Sequence, residues 1–151
     1  MGKLRTSAHI LLDKAESQGD KKRFMVPVDS GYREIRWRAY LSYTEAVALF
    51  LHFLGIGLDK KVAIFAKTRV EWAYCGIAIQ FCRGVFVPIY HSNTPEQVRY
   101  ILRHSDSEVL FTESERLPTV LEVIEDVPLL KKIILFESED EIDSILKSHN
   151  K

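Results

Sequence analysis

The sequence contains little cysteine, glycine or proline and has no excess of charge of either sign. Its 151 residues include two cysteines, seven glycines and five prolines, while 21 basic residues balance 21 acidic ones. Because this balance creates no bulk field that would attract nucleic acid or an anionic membrane, we expect no nucleic-acid partner. The 28% charged and 46% hydrophobic fractions are typical of a globular protein. The length suits a single domain over residues 1–151.

The cysteine pattern indicates a reducing compartment. Cys75 and Cys82 lie on one predicted helix, seven residues apart, which separates them by roughly 10 Å along its axis. This distance is too long for a disulfide, so we expect two small buried thiols. The first residues show no secretory signal pattern. Residues 72–90 are long and apolar enough to suggest a membrane span, but polar residues, a glycine and a proline interrupt them. We therefore expect a cytoplasmic location.

Several loops that mark common enzyme classes are also missing. No glycine-rich phosphate loop follows a predicted strand, since residues 66–70 contain no glycine, and no nucleophile elbow occurs. Gly55-Ile56-Gly57 precedes a predicted strand instead of following one, which favours a helix end over a dinucleotide loop. The predicted strand ends lack the clustered aspartates that would hold magnesium, which argues against a phospho-receiver domain. The glycine-free loop also weakens the alternative of a small flavin-binding protein.

Residues 61–90 contain the elements around which the rest of the chain is organised. Val62–Ala66 and Val85–Ile89 are short runs of mainly apolar, β-branched and aromatic residues, which predict two buried strands. Val70–Cys82 is apolar nearly all round and too long for a strand, which predicts a buried helix. Strand, helix and strand make a βαβ unit with a right-handed crossover.

The N-terminal third predicts a helix, a hairpin and a second helix. Leu4–Ala15 has apolar residues at helical spacing, and the helix is expected to end near Gly19. Phe24–Val28 and Ile35–Tyr40 flank a turn rich in Asp, Ser and Gly, which predicts an antiparallel hairpin with its proline at an edge or unpaired position. Ser42–Glu45 has the spacing of a capping box, which predicts the start of the second helix, ended by Gly55 or Gly57.

The C-terminal third continues the alternation of strands and helices. Thr94–Gln97 combines an N-cap, a proline and a glutamine that predict a helix start. Glu108–Thr112 and Ile133–Phe136 predict strands on either side of a helix over Glu115–Asp126, and Ser138–Glu141 predicts a last capping box. The fold class that follows is an α/β three-layer sandwich with a mostly parallel sheet of about four strands, plus an N-terminal β-hairpin and helix.

Candidate site residues follow the carboxyl ends of the predicted strands, where such sheets bind ligands. Lys67 and Arg69 could hold an anion near a helix start, although ion pairs with Glu71 and Glu113 are the more frequent role for such cations. His91 could shuttle a proton, but a lone loop histidine is more often polar surface. The remaining histidines show no metal-ligand spacing. The aromatic residues Trp72 and Tyr74 are expected in the core more than as stacking platforms.

A set of motifs follows in a fixed order along the chain. It begins with Trp37 before Ser42-Tyr43-Thr44-Glu45 and continues with Val62–Ala66, Thr68–Trp72, Gly84, Val87–Tyr90, Thr94–Gln97, Tyr100–Leu102 and His104-Ser105. Over about Leu4 to Phe136 this set resembles the N-terminal part of the AMP-forming acyl-CoA synthetases, most closely the long-chain fatty acid–CoA ligase branch. The family-motif residues without an assigned role are Arg69, Glu71, Trp72, Pro88, Tyr90, Pro95 and Gln97.

The resemblance implies a chemistry that this sequence does not itself carry. A complete member of this family uses ATP and magnesium to convert a fatty acid to an acyl-adenylate, then transfers the acyl group to coenzyme A. No position here matches the family's phosphate loop, metal-binding glutamate, ribose-binding aspartate or catalytic lysine, so we expect no catalytic, cofactor-binding or metal-binding residue in this chain. The leading hypothesis is an N-terminal fragment of such a ligase, inactive alone.

Two further expectations concern partners. A fragment should expose apolar surface where the missing C-terminal portion packs, which predicts association with that portion, with a homologous chain or with a second copy as a homo-dimer. The alternative hypothesis is a free-standing interaction or regulatory module derived from such a synthetase. Peripheral membrane association is left open for the complete enzyme.

Overall fold

The computed structural model describes residues 5–137, which fold as two compact units. Among these residues, the first unit comprises 5–59 and 69–84, and the second comprises 60–68 and 85–137. The capping box predicted at Ser138–Glu141 lies outside the described residues. In chain order the helices and strands are α1 (Ser7–Gln18), β1 (Lys22–Val28), β2 (Gly31–Arg36), α2 (Trp37–Phe53), β3 (Lys61–Ala66), α3 (Val70–Phe81), β4 (Val85–Tyr90), α4 (Pro95–Ser105), β5 (Val109–Thr112), α5 (Leu117–Glu122) and β6 (Lys132–Leu135).

The first unit packs its helices and hairpin around one hydrophobic cluster. Its buried members are Leu11 of α1, Ile35 of β2 and Tyr40 of α2. Apolar side chains of β1 and α3 pack against these three, and the Tyr40 hydroxyl donates to the carbonyl oxygen of Ala73 in α3 at 3.1 Å. The cluster therefore joins α1, the hairpin, α2 and α3 within this unit.

The predicted start of α2 at Ser42 is wrong, because the helix begins at Trp37. The predicted second hairpin strand over Ile35–Tyr40 is displaced along the chain, since β2 has the same length but runs from Gly31 to Arg36. Arg36 makes no side-chain cap. Instead, the N–H of Trp37 donates to the carbonyl of Lys21 at 3.1 Å, and the N–H of Arg38 donates to the carbonyl of Gly19 at 3.0 Å. Backbone groups that are distant in sequence thus replace the side-chain cap, which a capping-box pattern cannot reveal.

The end of α2 agrees with the prediction. The helix ends at Phe53, and Gly55 has a φ of 81°, a left-handed conformation that costs little without a Cβ. The N–H of Gly55 donates to the carbonyl of His52, and that of Ile56 donates to the carbonyl of Leu51. This is the glycine-terminated helix end that the sequence indicates.

The second unit is a four-stranded parallel sheet with helices. The strand order is β4-β3-β5-β6, and β3 pairs with β4 and β5 along its length. Val62–Ala66 is buried throughout, as expected for a central parallel strand. Val98 and Leu102 of α4 and Val120 of α5 pack against the sheet in one cluster. The predicted α/β class, with a parallel sheet of four strands, a hairpin and an N-terminal helix, is confirmed.

The two helices of this unit differ in how well local signals predict them. The capping box at the start of α4 is confirmed, since the Thr94 side chain accepts the N–H of Gln97 while the Gln97 side chain accepts that of Thr94. The single helix predicted over Glu115–Asp126 is wrong. It is divided into a 3-10 turn, the six residues of α5 and a second 3-10 turn. Arg116, with a φ of −98° and a ψ of −12°, stands at the first division, and Val123, with a φ of −110° and a ψ of 3°, stands at the second.

Among the described residues, no helix combines the length and the apolar character needed to cross a membrane.

Candidate functional site at the strand ends

The carboxyl ends of β3 and β5 carry a cluster of charged residues within the second unit. We call Lys67, Glu113, Glu115 and Arg116 the strand-end cluster. Glu113 is 6% exposed, and its Oε1 accepts the backbone N–H of Lys67 at 3.0 Å. The same oxygen lies 3.7 Å from Nε of Arg116. A buried carboxylate therefore receives an amide hydrogen and lies beside a guanidinium, which compensates for its burial.

The outer part of the strand-end cluster is an ion-pair chain. Glu115 pairs through one oxygen with Nζ of Lys67 and through the other with Nη2 of Arg116, the second contact being 3.1 Å long. The hydrogen bond from Lys67 holds the pKa of the Glu115 carboxyl below its usual range, and the nearby charges of Arg116 and His91 act in the same direction. Lys67 therefore neutralises a carboxylate of its own chain.

Two further hydrogen bonds fix the backbone around the strand-end cluster. The Thr112 hydroxyl is buried and donates to the carbonyl of Phe65 at 2.7 Å, between neighbouring strands. The backbone N–H of Ser114 donates to Oε2 of Glu137 at 3.0 Å. Polar groups that follow three strands of the sheet are thus bonded to each other within this unit.

The first unit contains a separate charged pair at the start of α3. Nε of Arg69 donates to Oε2 of Glu71 at 2.8 Å, and both side chains are largely buried. Burial by itself would raise the pKa of Glu71, but hydrogen bonds from Arg69 and from the backbone outweigh burial and hold that pKa below its usual value. A carboxylate in the first turn is also favoured by the positive end of the helix dipole.

The neighbours of Glu71 on α3 are made less acidic. Burial and the negative charge of Glu71 raise the pKa of the Tyr74 hydroxyl and raise the pKa of the Cys75 thiol to about 12. Tyr74 also contacts the ring of Tyr43, with 5.7 Å between the ring centroids. These groups are protonated near neutral pH, which makes neither a ready nucleophile.

The remaining family-motif residues have structural positions. Trp72 is half-buried in the first turn of α3. Pro88 lies in β4, an edge strand among the described residues, where a missing backbone donor is tolerated. Tyr90 ends that strand with its side chain 76% exposed. Pro95 occupies the first turn of α4 and Gln97 completes the capping box.

Lys67 and Arg69, the two cations of the candidate anion site, each pair with a carboxylate of this chain. Arg69 bonds to Glu71, as the ion-pair interpretation expected, whereas the side-chain partner of Lys67 is Glu115 instead of Glu113. His91 lies exposed in the loop after β4. Within residues 5–137 no three His, Cys, Asp or Glu side chains are grouped in a way that could hold a metal ion.

Sequence reasoning missed Glu115 and Glu137 as partners in this region. Both contacts depend on strand register. The Lys67–Glu115 pair depends on β3 against β5, where Phe65 stands opposite Thr112, and the Ser114–Glu137 bond depends on β5 against β6, where Thr112 stands opposite Leu135. Extending the β3–β5 register by two residues brings Lys67 level with the turn that begins at Ser114. Without the strand order, the sequence offered no signal that would select these partners among the surrounding carboxylates.

Comparison with known proteins supports the resemblance over most of the chain. A family described as "AMP-binding enzyme" matches residues 11–151. A long-chain-fatty-acid–CoA ligase, FadD15 of Mycobacterium bovis, is 35% identical over 108 residues, which cover 71% of this chain and 18% of that protein. Fatty acyl-CoA synthetase B of Dictyostelium discoideum is 31% identical over 106 residues, covering 70% and 16%. The chain thus spans less than a fifth of the length of these relatives.

Solved structures show the same fold. An anthranilate CoA ligase, AuaEII, solved with anthranoyl-AMP, superposes with a TM-score of 0.82 at 23% identity, covering 90% of this chain and 26% of that one. The N-terminal domain of FACL13 from Mycobacterium tuberculosis superposes with a TM-score of 0.78 at 19% identity, covering 96% and 36%. At these identities the agreement is one of fold.

Proposed function

Because the chain belongs to the family of AMP-binding enzymes, we propose that it forms the N-terminal part of a long-chain fatty acid–CoA ligase. The complete enzyme would use ATP and magnesium to form an acyl-adenylate from a fatty acid and would then pass the acyl group to coenzyme A. The names of the relatives FadD15 and fatty acyl-CoA synthetase B support this substrate class. The free thiols Cys75 and Cys82 support a cytoplasmic location.

Within that enzyme, the proposed role of residues 5–137 is structural. The observation that carries this proposal is the pairing of Glu113 with the Lys67 backbone, together with the pairing of Glu115 with the Lys67 side chain. In parallel α/β sheets the carboxyl ends of the strands are where ligands bind. Here the charged groups at that edge bond to each other, so binding a phosphate through Lys67 would require breaking an existing ion pair.

The proposed partner is the remainder of the ligase polypeptide, and the proposed contact surface is the α2 apolar face. We define this face by Leu49, Phe50 and Phe53 of α2, whose side chains are 71%, 45% and 86% exposed. Exposed apolar groups of this size on neighbouring turns are typical of a surface that another polypeptide covers. The chain spans less than a fifth of the length of its relatives. This supports the remainder of the same polypeptide as the partner that covers the face.

An adenylation assay tests the structural role. The chain is incubated with ATP, magnesium and palmitate, and exchange of labelled pyrophosphate into ATP is measured. We expect no exchange above the background without enzyme, whereas a full-length ligase serves as the positive control. Turnover by the 151-residue chain alone would overturn the proposal that the reactive groups lie elsewhere.

The coding sequence beyond Lys151 provides an independent test. We expect the reading frame to continue into a glycine-rich phosphate loop, and addition of that polypeptide should restore palmitate-dependent exchange. A stop codon at this position would contradict a role as part of one ligase polypeptide.

The α2 apolar face can be tested in the chain alone by sedimentation. We expect concentration-dependent association or binding of a hydrophobic dye, and Leu49→Ser with Phe53→Ser should decrease both. Tyr100→Ser, at a site 65% exposed on α4, is the matched control. A monomer that binds no dye would contradict the exposed face. A discrete dimer that the double variant abolishes would show that a second copy covers it in place of the remainder of the ligase.

A further inference from the structure

A cavity of about 230 Å³ lies in the second unit, between the end of α4 and the segment that leads into β6. Helix α4 leads into β5, and Lys132 at the start of β6 stands opposite Val109 at the start of β5. The cavity is therefore at the amino edge of the sheet, whereas the strand-end cluster is at the carboxyl edge. The residues that line it include Leu102, Arg103, Asp106, Val127 and Leu129.

One side of this cavity is apolar. Leu102 and Val127 are buried and form its floor, while Leu129 is 49% exposed at its rim. The N–H of Leu130 donates to the carbonyl of Val127 at 3.0 Å and closes the turn that contains Leu129. Because an apolar cavity of about 150 Å³ can hold benzene, this cavity has room for an aliphatic or aromatic group of side-chain size.

Asp106 brings an unusual negative charge to the polar side of the cavity. It follows the last residue of α4 and has a φ of 54°, a left-handed conformation for which helix ends more often use glycine. Its carboxylate lies at the negative end of the helix dipole, where a cation is favoured and an anion is not. It makes no ion pair within residues 5–137. A bound ammonium group would therefore relieve an unfavourable charge.

Arg103 adds a positive charge to the same side of the cavity. It is exposed, and it too has no carboxylate partner in the part of the chain that the structure describes. Arg103 and Asp106 are three residues apart, a spacing that makes side chains neighbours at the surface of a helix. A group that binds carboxylates and a group that binds ammonium ions thus border one apolar cavity.

We propose that this cavity binds a free α-amino acid with an apolar side chain. The ammonium group of the ligand pairs with Asp106, its carboxylate pairs with Arg103, and its side chain packs in the apolar cavity. A simple carboxylate would be repelled by Asp106 and a simple amine by Arg103, whereas a zwitterion is attracted by both. The proposal does not depend on the ligase activity, because the cavity shares no residue with the strand-end cluster.

Titration of the ¹⁵N-labelled chain with L-leucine, followed by NMR chemical shifts, tests the proposal. We expect saturable shifts at the end of α4 and in the turn before β6. Three analogues each lack one part of leucine. Glycine lacks the side chain, 4-methylpentanoate lacks the ammonium group, and 3-methylbutylamine lacks the carboxylate. Each analogue should bind about tenfold weaker than leucine or less tightly still.

Variants of the two charged residues test their roles. Arg103→Gln should weaken leucine binding about tenfold, while Arg99→Gln, on the same helix but outside the cavity, should not. Asp106→Asn should weaken binding by a similar factor. Asp106→Gly should do the same without destabilising the chain, because glycine adopts the left-handed conformation readily. Loss of binding in this variant therefore cannot be attributed to unfolding.

The apolar contribution has a matched control. Leu129→Ser should weaken leucine binding several-fold, whereas Leu121→Ser on α5, where the leucine is 53% exposed and does not line the cavity, should leave it unchanged. Circular dichroism establishes that each variant is folded.

Four results would overturn the proposal. The first is the absence of saturable shifts at leucine concentrations of about 20 mM, which correspond to very weak binding. The second is binding of 4-methylpentanoate or 3-methylbutylamine that is as tight as that of leucine. The third is an equal effect of the cavity variants and their controls. The fourth is binding of N-acetylleucine amide as tight as that of leucine, which would assign the cavity to a side chain of a polypeptide.

Discussion

The buried carboxylate of Glu113 accepts the backbone N–H of Lys67 at 3.0 Å and so joins the residue after β3 to the residue after β5. The contact spans 46 positions of sequence. The contact lies at the carboxyl edge of the sheet, where parallel α/β proteins commonly bind ligands, and both of its residues belong to the second unit.

Loss of this contact should destabilise the fold. Glu113→Ala leaves the part-buried N–H of Lys67 without its acceptor, and we expect the free energy of unfolding to fall by about 2 kcal/mol. Glu113→Gln retains an oxygen that can accept the N–H of Lys67 and should cost less. Urea unfolding followed by circular dichroism measures both changes. Glu125→Ala, at an exposed position, is the control, and an equal effect at both positions would contradict a structural role for Glu113.

The capping box of α4 gives a second prediction. Thr94→Ala removes the acceptor for the Gln97 N–H and should lower the free energy of unfolding by about 1 kcal/mol. Thr94→Ser keeps the hydroxyl and should be close to neutral, while Thr68→Ala in an exposed loop is the control. Thermal and urea unfolding provide the measurements. If the serine variant were as unstable as the alanine variant, the hydroxyl would not be the stabilising group.

The lowered pKa of Glu71 predicts how the free energy of unfolding changes with pH. Its folded-state pKa is lower than the value of about 4.3 expected in the unfolded chain, so its stabilising contribution is fully present above that pH. The contribution is lost as the pH falls through the folded-state pKa. Glu71→Gln should therefore lower the free energy of unfolding by about 1 kcal/mol at pH 7, and the difference from wild type should vanish in acid.

Urea unfolding at several values between pH 7 and pH 3 measures this difference, with Glu16→Gln at an exposed position of α1 as the control. A difference that stays constant across the whole range would show that the charge of Glu71 is not responsible.

The two thiols should react at different rates with a disulfide reagent such as DTNB. Burial and the charge of Glu71 raise the pKa of Cys75 to about 12, and burial raises the pKa of Cys82, whose thiol donates to the Ala48 carbonyl. At pH 8 we expect Cys75, in a Cys82→Ser variant, to react about a hundredfold or more slower than a free thiol. Cys82, in a Cys75→Ala variant, should react at an intermediate rate.

Denaturant should remove the difference between the two cysteine variants, since both thiols are then exposed. Rapid reaction of Cys75 in the folded chain would contradict its burial.

The elements that were predicted correctly are those whose signals are local. The start of α4 depends on Thr94 and Gln97, three residues apart, and the end of α2 depends on the left-handed conformation of Gly55. A short sequence window contains all the groups that decide these features. The four parallel strands were likewise recognisable from apolar runs separated by helical patterns.

The features that were missed depend on contacts between distant segments. Ser42–Glu45 has a correct capping pattern but lies inside α2, where Thr44 is buried and its hydroxyl donates to the carbonyl of Tyr40. The pairing of Lys67 with Glu115 depends on the register of β3 against β5. By contrast, Arg69 and Glu71 are only two residues apart, and their ion pair was expected from the sequence.

The backbone carbonyls that begin α2 have a consequence for evolutionary change in the hairpin. The oxygens of Gly19 and Lys21 accept the first amides of the helix, and a Cβ at position 19 would stand only 2.6 Å from the carbonyl oxygen of Ala15. The side chain at position 21 takes no part in this anchoring, so it is free to drift. A one-residue deletion between α1 and β1 would displace both acceptors. Evolution should therefore conserve the length of this turn and the glycine at position 19 more strictly than the residue at position 21.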